Sequence, residues 1–160
     1  MIKFLAIFIQ PLLLVGFFIY AILPFYLGKD VYVKTQGYDP RDFLRGNYVH
    51  LRYDFNDKKI KTDELTDIYA ILEPNKDGIY ETISINKTKP KVGVYISGKS
   101  NGYTQNFGVE KYFLPPEKAL ELQETLRDID SNTTAIAHLK IFNGDARIIG
   151  VEILKQNNQK

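Results

Sequence analysis

At 160 residues, with a formal net charge of +2 and no cysteine, the chain has room for one domain and a short appendage. It excludes a disulfide framework and a thiolate metal site. Upstream of Gly28 the only charged side chain is Lys3, so the remainder carries 20 Lys and Arg against 19 Asp and Glu; without a clustered basic excess, nucleic acid is excluded as a partner.

The first element is "FLAIFIQPLLLVGFFIYAILPFYL", Phe4 to Leu27, in which Gln10 is the only strongly polar side chain. A helix rising ~1.5 Å per residue needs about 20 apolar residues to cross ~30 Å of hydrocarbon, and this run suffices. Pro11 and Pro24 kink a membrane helix rather than break it, and Pro24 marks its exit. Tyr20, Phe25 and Tyr26 fall where aromatic rings favour the interface. A cleaved signal peptide is the competing reading, but the run is too long and "FIYAILPFY" is a poor cleavage site. The reading is an uncleaved single-pass anchor over residues 1–28, in contact with lipid through residues 4–27. Flanking charges are indecisive, and the short leading tail favours an N-in orientation. That puts the following domain outside the cytoplasmic membrane.

Residues 29–155 read as one β-rich domain, followed by a polar tail over 156–160. Period-two alternation predicts strands at Val31–Thr35, Asn47–Phe55, Asp67–Pro74, Gly78–Asn86, Lys91–Lys99 and Tyr103–Phe113. In the second of these, Val49, Leu51, Tyr53 and Phe55 share one face; Tyr48, His50, Arg52 and Asp54 share the other. "PPEKALELQETLRDID" predicts a helix. Pro116 suits its first turn, and Ala119, Leu122, Leu126 and Ile129 form an apolar stripe that would cover a sheet. The last two strands flank Asn143-Gly144, a two-residue type I′ hairpin signal. The fold class is therefore mainly β (α+β): an antiparallel sheet or partial barrel with one packing helix, behind a single N-terminal transmembrane helix.

The stretch "DPRDFLRGNYVHLRY" joins a type I turn at Asp39-Pro40-Arg41-Asp42 to the second strand. With its "RGNYVHLRY" it resembles the signature of the GDYXXLXY protein family through Gly46, Tyr48, Leu51 and Tyr53, preceded by Asp39, Pro40 and Arg41. "VEKYFLPPEKALELQE" is similar to a second block of that family through Tyr112, Phe113, Leu114 and Pro115. "LKIFNGDARIIGVEI" resembles its closing strand pair. Asn47 stands where the signature has Asp, and Pro116-Glu117 replaces Glu-Gly, so Glu117 and Glu121 both remain candidates for the corresponding glutamate. The resemblance implies a membrane-anchored bacterial protein of uncharacterised role, encoded beside or joined to multi-pass membrane proteins, and hence a multi-pass partner.

For chemistry, the sequence offers no HExxH, no P-loop and no GxGxxG after a strand; no catalytic set, metal site or cofactor is assigned. Ser97 and Lys99 could form a nucleophilic pair, but a Gly-rich stretch at that spacing reads first as a turn. His50 reads as a solvated or paired imidazole, and His138 stands alone in the hairpin. The charged cluster of Asp39, Arg41, Asp42, Arg45, Arg52 and Asp54 is the leading site candidate. Its ordinary role would be to brace the strand by Arg–carboxylate bonds; its functional one is a recognition surface. Tyrosine combines apolar area with a hydrogen-bonding tip. The candidate binding set is therefore Asp39, Arg41, Arg45, Tyr48, Arg52, Tyr53, Tyr112, Glu117 and Glu121. Three function classes follow: a binding or assembly module for a membrane protein, a hydrolase-type enzyme, and a purely structural subunit.

Overall fold

The computed structural model describes residues 2–37, 48–127 and 133–155. Helix α1 (Ile2–Leu27) contains both Pro11 and Pro24, and its stretch Ile9–Leu27 is long and apolar enough to cross a membrane. A single residue, Gly28, separates α1 from strand β1 (Lys29–Gly37). Then follow β2 (Tyr48–Tyr53), the short helix α2 (Asp54–Asp57), β3 (Thr66–Pro74), β4 (Ile79–Asn86) and β5 (Val94–Ser100). The chain continues through β6 (Gln105–Asn106), β7 (Lys111–Phe113), helix α3 (Pro116–Arg127), β8 (Thr133–Phe142) and β9 (Asp145–Lys155).

These strands form one mainly antiparallel sheet that branches at β1. Along one edge β1 is paired with β8 from Lys29↔Ile141 to Thr35↔Ala135. Along its other edge β4 lies parallel at Tyr32↔Ile79 and Val33↔Tyr80, after which β2 takes over antiparallel from Thr35↔Tyr53 to Gly37↔Leu51. The outer path is β6-β5-β3-β4-β1-β2-β7. The β8–β9 turn has positive φ at both Asn143 (50°) and Gly144 (87°), the left-handed pair that a type I′ turn requires. This turn hooks onto β5: Ser97 N–H donates to the Gly144 carbonyl at 2.9 Å, and the Tyr95 hydroxyl donates to Asn143 Oδ1 at 2.9 Å. The sheet is thereby curled into a half-barrel.

Alternation explains what fills it. Val31, Val33 and Thr35 of β1 are buried while Tyr32 and Lys34 are exposed; Val49, Leu51 and Tyr53 of β2 are buried while Arg52 is exposed. Ile68, Ala70, Leu72, Ile96, Phe107 and Leu139 complete the core. Phe55, fully buried, stabilises the fold by roughly 1.5–3 kcal/mol relative to exposure. Helix α3 lays Ala119, Leu122 and Leu126 on this core, three positions of the expected stripe; Ile129 lies outside the described residues.

Two expected strands are shorter than their alternation. The Asn47–Phe55 strand ends at Tyr53 because Asn56 Oδ1 takes the Tyr53 N–H at 3.0 Å and turns the chain into α2. The Tyr103–Phe113 strand divides into β6 and β7. Between them Gly108 has φ 79° and Glu110 Oε1 accepts the Phe107 N–H at 2.6 Å, which bends the backbone and drives Phe107 into the core.

Candidate functional site

Strand β2 carries three of the six described candidates, Tyr48, Arg52 and Tyr53, and its pleat sorts them into two groups. Tyr53 points inward and is 1% exposed, stacked on Phe55 with ring centroids 4.8 Å apart. Its hydroxyl donates to the Val109 carbonyl at 3.0 Å. Burial, with the Glu110 carboxylate second, pushes this phenol far above its ordinary pKa, so it remains a donor at any physiological pH. Leu51 is buried beside it. Tyr112 sits opposite Val49 in β7, half-buried and packed on the same core. Tyr53 therefore acts on any surface only through the strand it holds.

Tyr48, His50 and Arg52 are on the outer face. Tyr48 is paired with Phe113 across the β2–β7 ladder, their rings 5.5 Å apart. His50 meets Tyr48 edge-on at 5.1 Å, and Lys111 Nζ lies 5.0 Å above the Tyr48 ring, within cation–π range. Phe113 is 69% exposed, while Tyr48 and His50 are half-buried beside it, with Lys111 at the border of the cluster. Arg52 Nε donates to Asp57 Oδ1 at 2.9 Å, with its Nη2 on the same oxygen. That bond clamps the outer face of β2 to α2. Phe113, His50 and Lys111 are not in the sequence-derived set. Alternation within "KYF" does put Phe113 on the side opposite Tyr112, but its register with Tyr48 joins residues 65 positions apart, beyond the reach of local periodicity.

Glu117 and Glu121 are exposed on α3, the helix packed over β1 and β2. Asp39, Arg41 and Arg45, together with Asp42 and Asn47, lie outside the described residues. Asp54 of the same charged cluster faces β4, where its Oδ2 accepts the Thr82 N–H at 2.8 Å and its Oδ1 accepts the Thr82 hydroxyl at 2.6 Å.

Strand β1 starts one residue after α1, and its nine residues rise about 30 Å at ~3.3 Å each. Because β2 returns antiparallel with Leu51 level with Gly37, Tyr48 and Phe113 occupy the end of the sheet far from α1. Ser97 and Lys99 have separate surroundings. Ser97 Oγ lies against Gly144, whereas Lys99 lines a shallow pocket of about 310 Å³ with Leu65, Asn101, Thr104 and Asn106. His138 is not alone: its Nε2 lies 2.7 Å from Asp30 Oδ1, stacked on Tyr32.

The chain matches the family described as GDYXXLXY protein over residues 10–151. It belongs to that family. Comparison with curated proteins and with solved structures returns no match.

Proposed function

We propose that this member of the GDYXXLXY family is a membrane-anchored binding and assembly module. In this reading α1 spans the cytoplasmic membrane once, the half-barrel stands on its outer side, and the membrane-distal face of β2 and β7 engages a multi-pass membrane protein. The observation that carries it is the ring cluster on the outer face, exposed Phe113 with half-buried Tyr48 and His50 and with Lys111 at its edge. Aromatic side chains in an open patch rimmed by charge are the composition of interface centres. Since a strand about 30 Å long separates the helix exit from the end of the sheet that carries the patch, the part of the partner it meets in this reading is an extramembrane loop or domain. In this reading Asp39, Arg41 and Arg45, which precede β2 in the sequence, serve the same partner.

The test is site-specific photocrosslinking in native membranes, with a photoreactive phenylalanine analogue in place of Phe113 and, as control, of Tyr103. Tyr103 is 90% exposed in the β5–β6 turn, outside the β2–β7 ladder that carries the ring cluster. An adduct with an integral membrane protein at position 113, absent at 103 and lost in the Tyr48→Ala background, supports the module. The same adducts at both positions, or an adduct indifferent to Tyr48→Ala, overturn it.

A further inference from the structure

At the opposite pole, beside the helix exit, a second surface has a different chemistry. The β4–β5 connection crosses β3 with the sequence "KTKPKVG", Lys87 to Gly93. Its later part comes down beside the start of β1: Lys29, Lys89, Pro90, Lys91, Val92, Tyr95, Ile141 and the Asn143-Gly144 turn line one open pocket of about 320 Å³. Two of its lysines are held over rings, Lys29 Nζ 5.5 Å from Tyr80 and Lys89 Nζ 5.9 Å from Tyr95. Among the described residues, none of Lys29, Lys89 and Lys91 forms an ion pair. The nearby carboxylates are otherwise engaged: Asp30 accepts from His138 and Lys140, and Asp145 from Arg147. Asp77 in the β3–β4 turn and the cross-strand pair Glu73 and Glu81 beside it are the other acids at this pole, Glu81 accepting from Asn75. Val92, at the apex of the loop, is 85% exposed.

The position of this pocket relative to a bilayer follows from the junction. Pro24 is buried against the sheet, and Gly28 N–H closes the last helical turn on the Pro24 carbonyl at 3.0 Å. The domain thus has no linker on which to drift away from the helix. Tyr26 and Leu27 are exposed at the same level, as interfacial side chains are. Lys29 is two residues beyond the apolar span, at the depth of lipid headgroups, and the pocket lining brings Lys89 to Val92 to that depth with it.

We infer that this loop is a second membrane contact: Lys29, Lys89 and Lys91 bind the phosphates of anionic phospholipids while Val92 dips among the headgroups. Lysines near an anionic surface attract it at a range set by salt, and a lone apolar apex adds insertion without spanning. The inference rests on α1 being a membrane anchor. What the seat adds is a fixed tilt, which holds the distal aromatic face at a constant height and direction.

Because the chain has no cysteine, single labels are unambiguous. Full-length Val92→Cys, carrying an environment-sensitive fluorophore, would be reconstituted in nanodiscs of phosphatidylcholine alone or with phosphatidylglycerol. Lipids bearing headgroup-level quenchers provide the readout, and Tyr103→Cys at the far pole is the control. Quenching at 92 should rise with the anionic lipid, fall with added salt and stay absent at 103. Each Lys→Gln change at 29, 89 or 91 should lower the docking constant about fivefold. Quenching at 92 that is equal in both lipids, or unchanged in the triple Lys→Gln variant, overturns the seat while co-flotation with the discs still shows the anchor intact. Loss of co-flotation itself would overturn the anchor and the seat with it.

Discussion

Asp54 and Thr82, 28 residues apart, close a gap in the sheet with two hydrogen bonds, Thr82 N–H to Oδ2 at 2.8 Å and Thr82 hydroxyl to Oδ1 at 2.6 Å. The gap arises because β1 leaves β4 after Val33↔Tyr80 and turns to β2 at Thr35↔Tyr53. That would leave the next backbone groups of β4 without a strand. Asp54 takes the Thr82 N–H, and Lys58 Nζ donates to the Thr82 carbonyl. Buried backbone groups must be paired, and side chains from α2 do here what a neighbouring strand does elsewhere.

Asp54→Ala should therefore lower the unfolding free energy by about 1–3 kcal/mol, because it leaves a buried N–H and a buried hydroxyl without acceptors. Asp54→Asn keeps one acceptor oxygen and should fall between the variant and the native chain. Thermal unfolding of the detergent-solubilised protein, followed by circular dichroism, measures both. Equal midpoints for Asp54→Ala and the native chain would show that water substitutes for the carboxylate.

Signature residues separate by face, and so should their phenotypes. Tyr53→Phe strands the Val109 carbonyl in the core and should cost ~1–3 kcal/mol. Tyr48→Phe changes an outer-face ring and should stay within ~0.5 kcal/mol. Tyr48→Ala should in addition abolish the Phe113 photocrosslink with a small change in midpoint. A large stability loss from Tyr48→Ala would make the outer face a structural feature like the inner one.

Local features of this fold were legible, and the reason is physical. Asn143-Gly144 announces its turn because only such residues accept positive φ in succession. The two faces of β2 follow from a period of two, and the stripe Ala119, Leu122, Leu126 from a period near 3.6. The three-way pairing of β1 leaves no such trace. Which strand lies beside Val33, or which residue faces Tyr48, is decided by chain segments tens of residues away. The sequence groups the charged cluster as one site around the turn. Of its described members, Arg52 clamps Asp57 on the outer face and Asp54 mends the sheet beside β4. A signature that combines Leu51 and Tyr53 inside with Tyr48 outside contains packing and surface roles in a single string.

Acid should loosen the strand pair at the foot of the domain. The His138 hydrogen bond holds the Asp30 carboxyl below its ordinary pKa, with Lys140 adding to it against a smaller opposing effect of burial. A carboxyl with a lower pKa folded than unfolded stabilises the fold above the unfolded value. It loses that contribution as pH falls through the folded one. The native chain should exceed Asp30→Asn in stability near neutrality, and the difference should shrink below about pH 4. Parallel unfolding curves from pH 7 to pH 3 measure it. A difference independent of pH would assign the contribution of Asp30 to something other than its charge.

Gly28 is the single residue between α1 and the sheet, and its missing side chain is what permits the junction. A Cβ there would overlap the Pro24 carbonyl oxygen and stand 3.2 Å from the Ile141 backbone nitrogen. Both neighbours are backbone, so neither can swing aside as a flexible side chain would. Gly28→Ala should thus force the last turn of α1 away from β8, with a cost of about 1–3 kcal/mol, the range for overfilled packing. The effect on orientation should be larger than on stability, since β1 to β9 keep their own pairings when the junction opens. Limited proteolysis distinguishes the two: cleavage should accelerate next to residue 28 while the half-barrel fragment stays resistant. Uniform acceleration of cleavage throughout the domain would mean that the helix contact supports the whole sheet, and that α1 is part of the fold rather than an appendage to it.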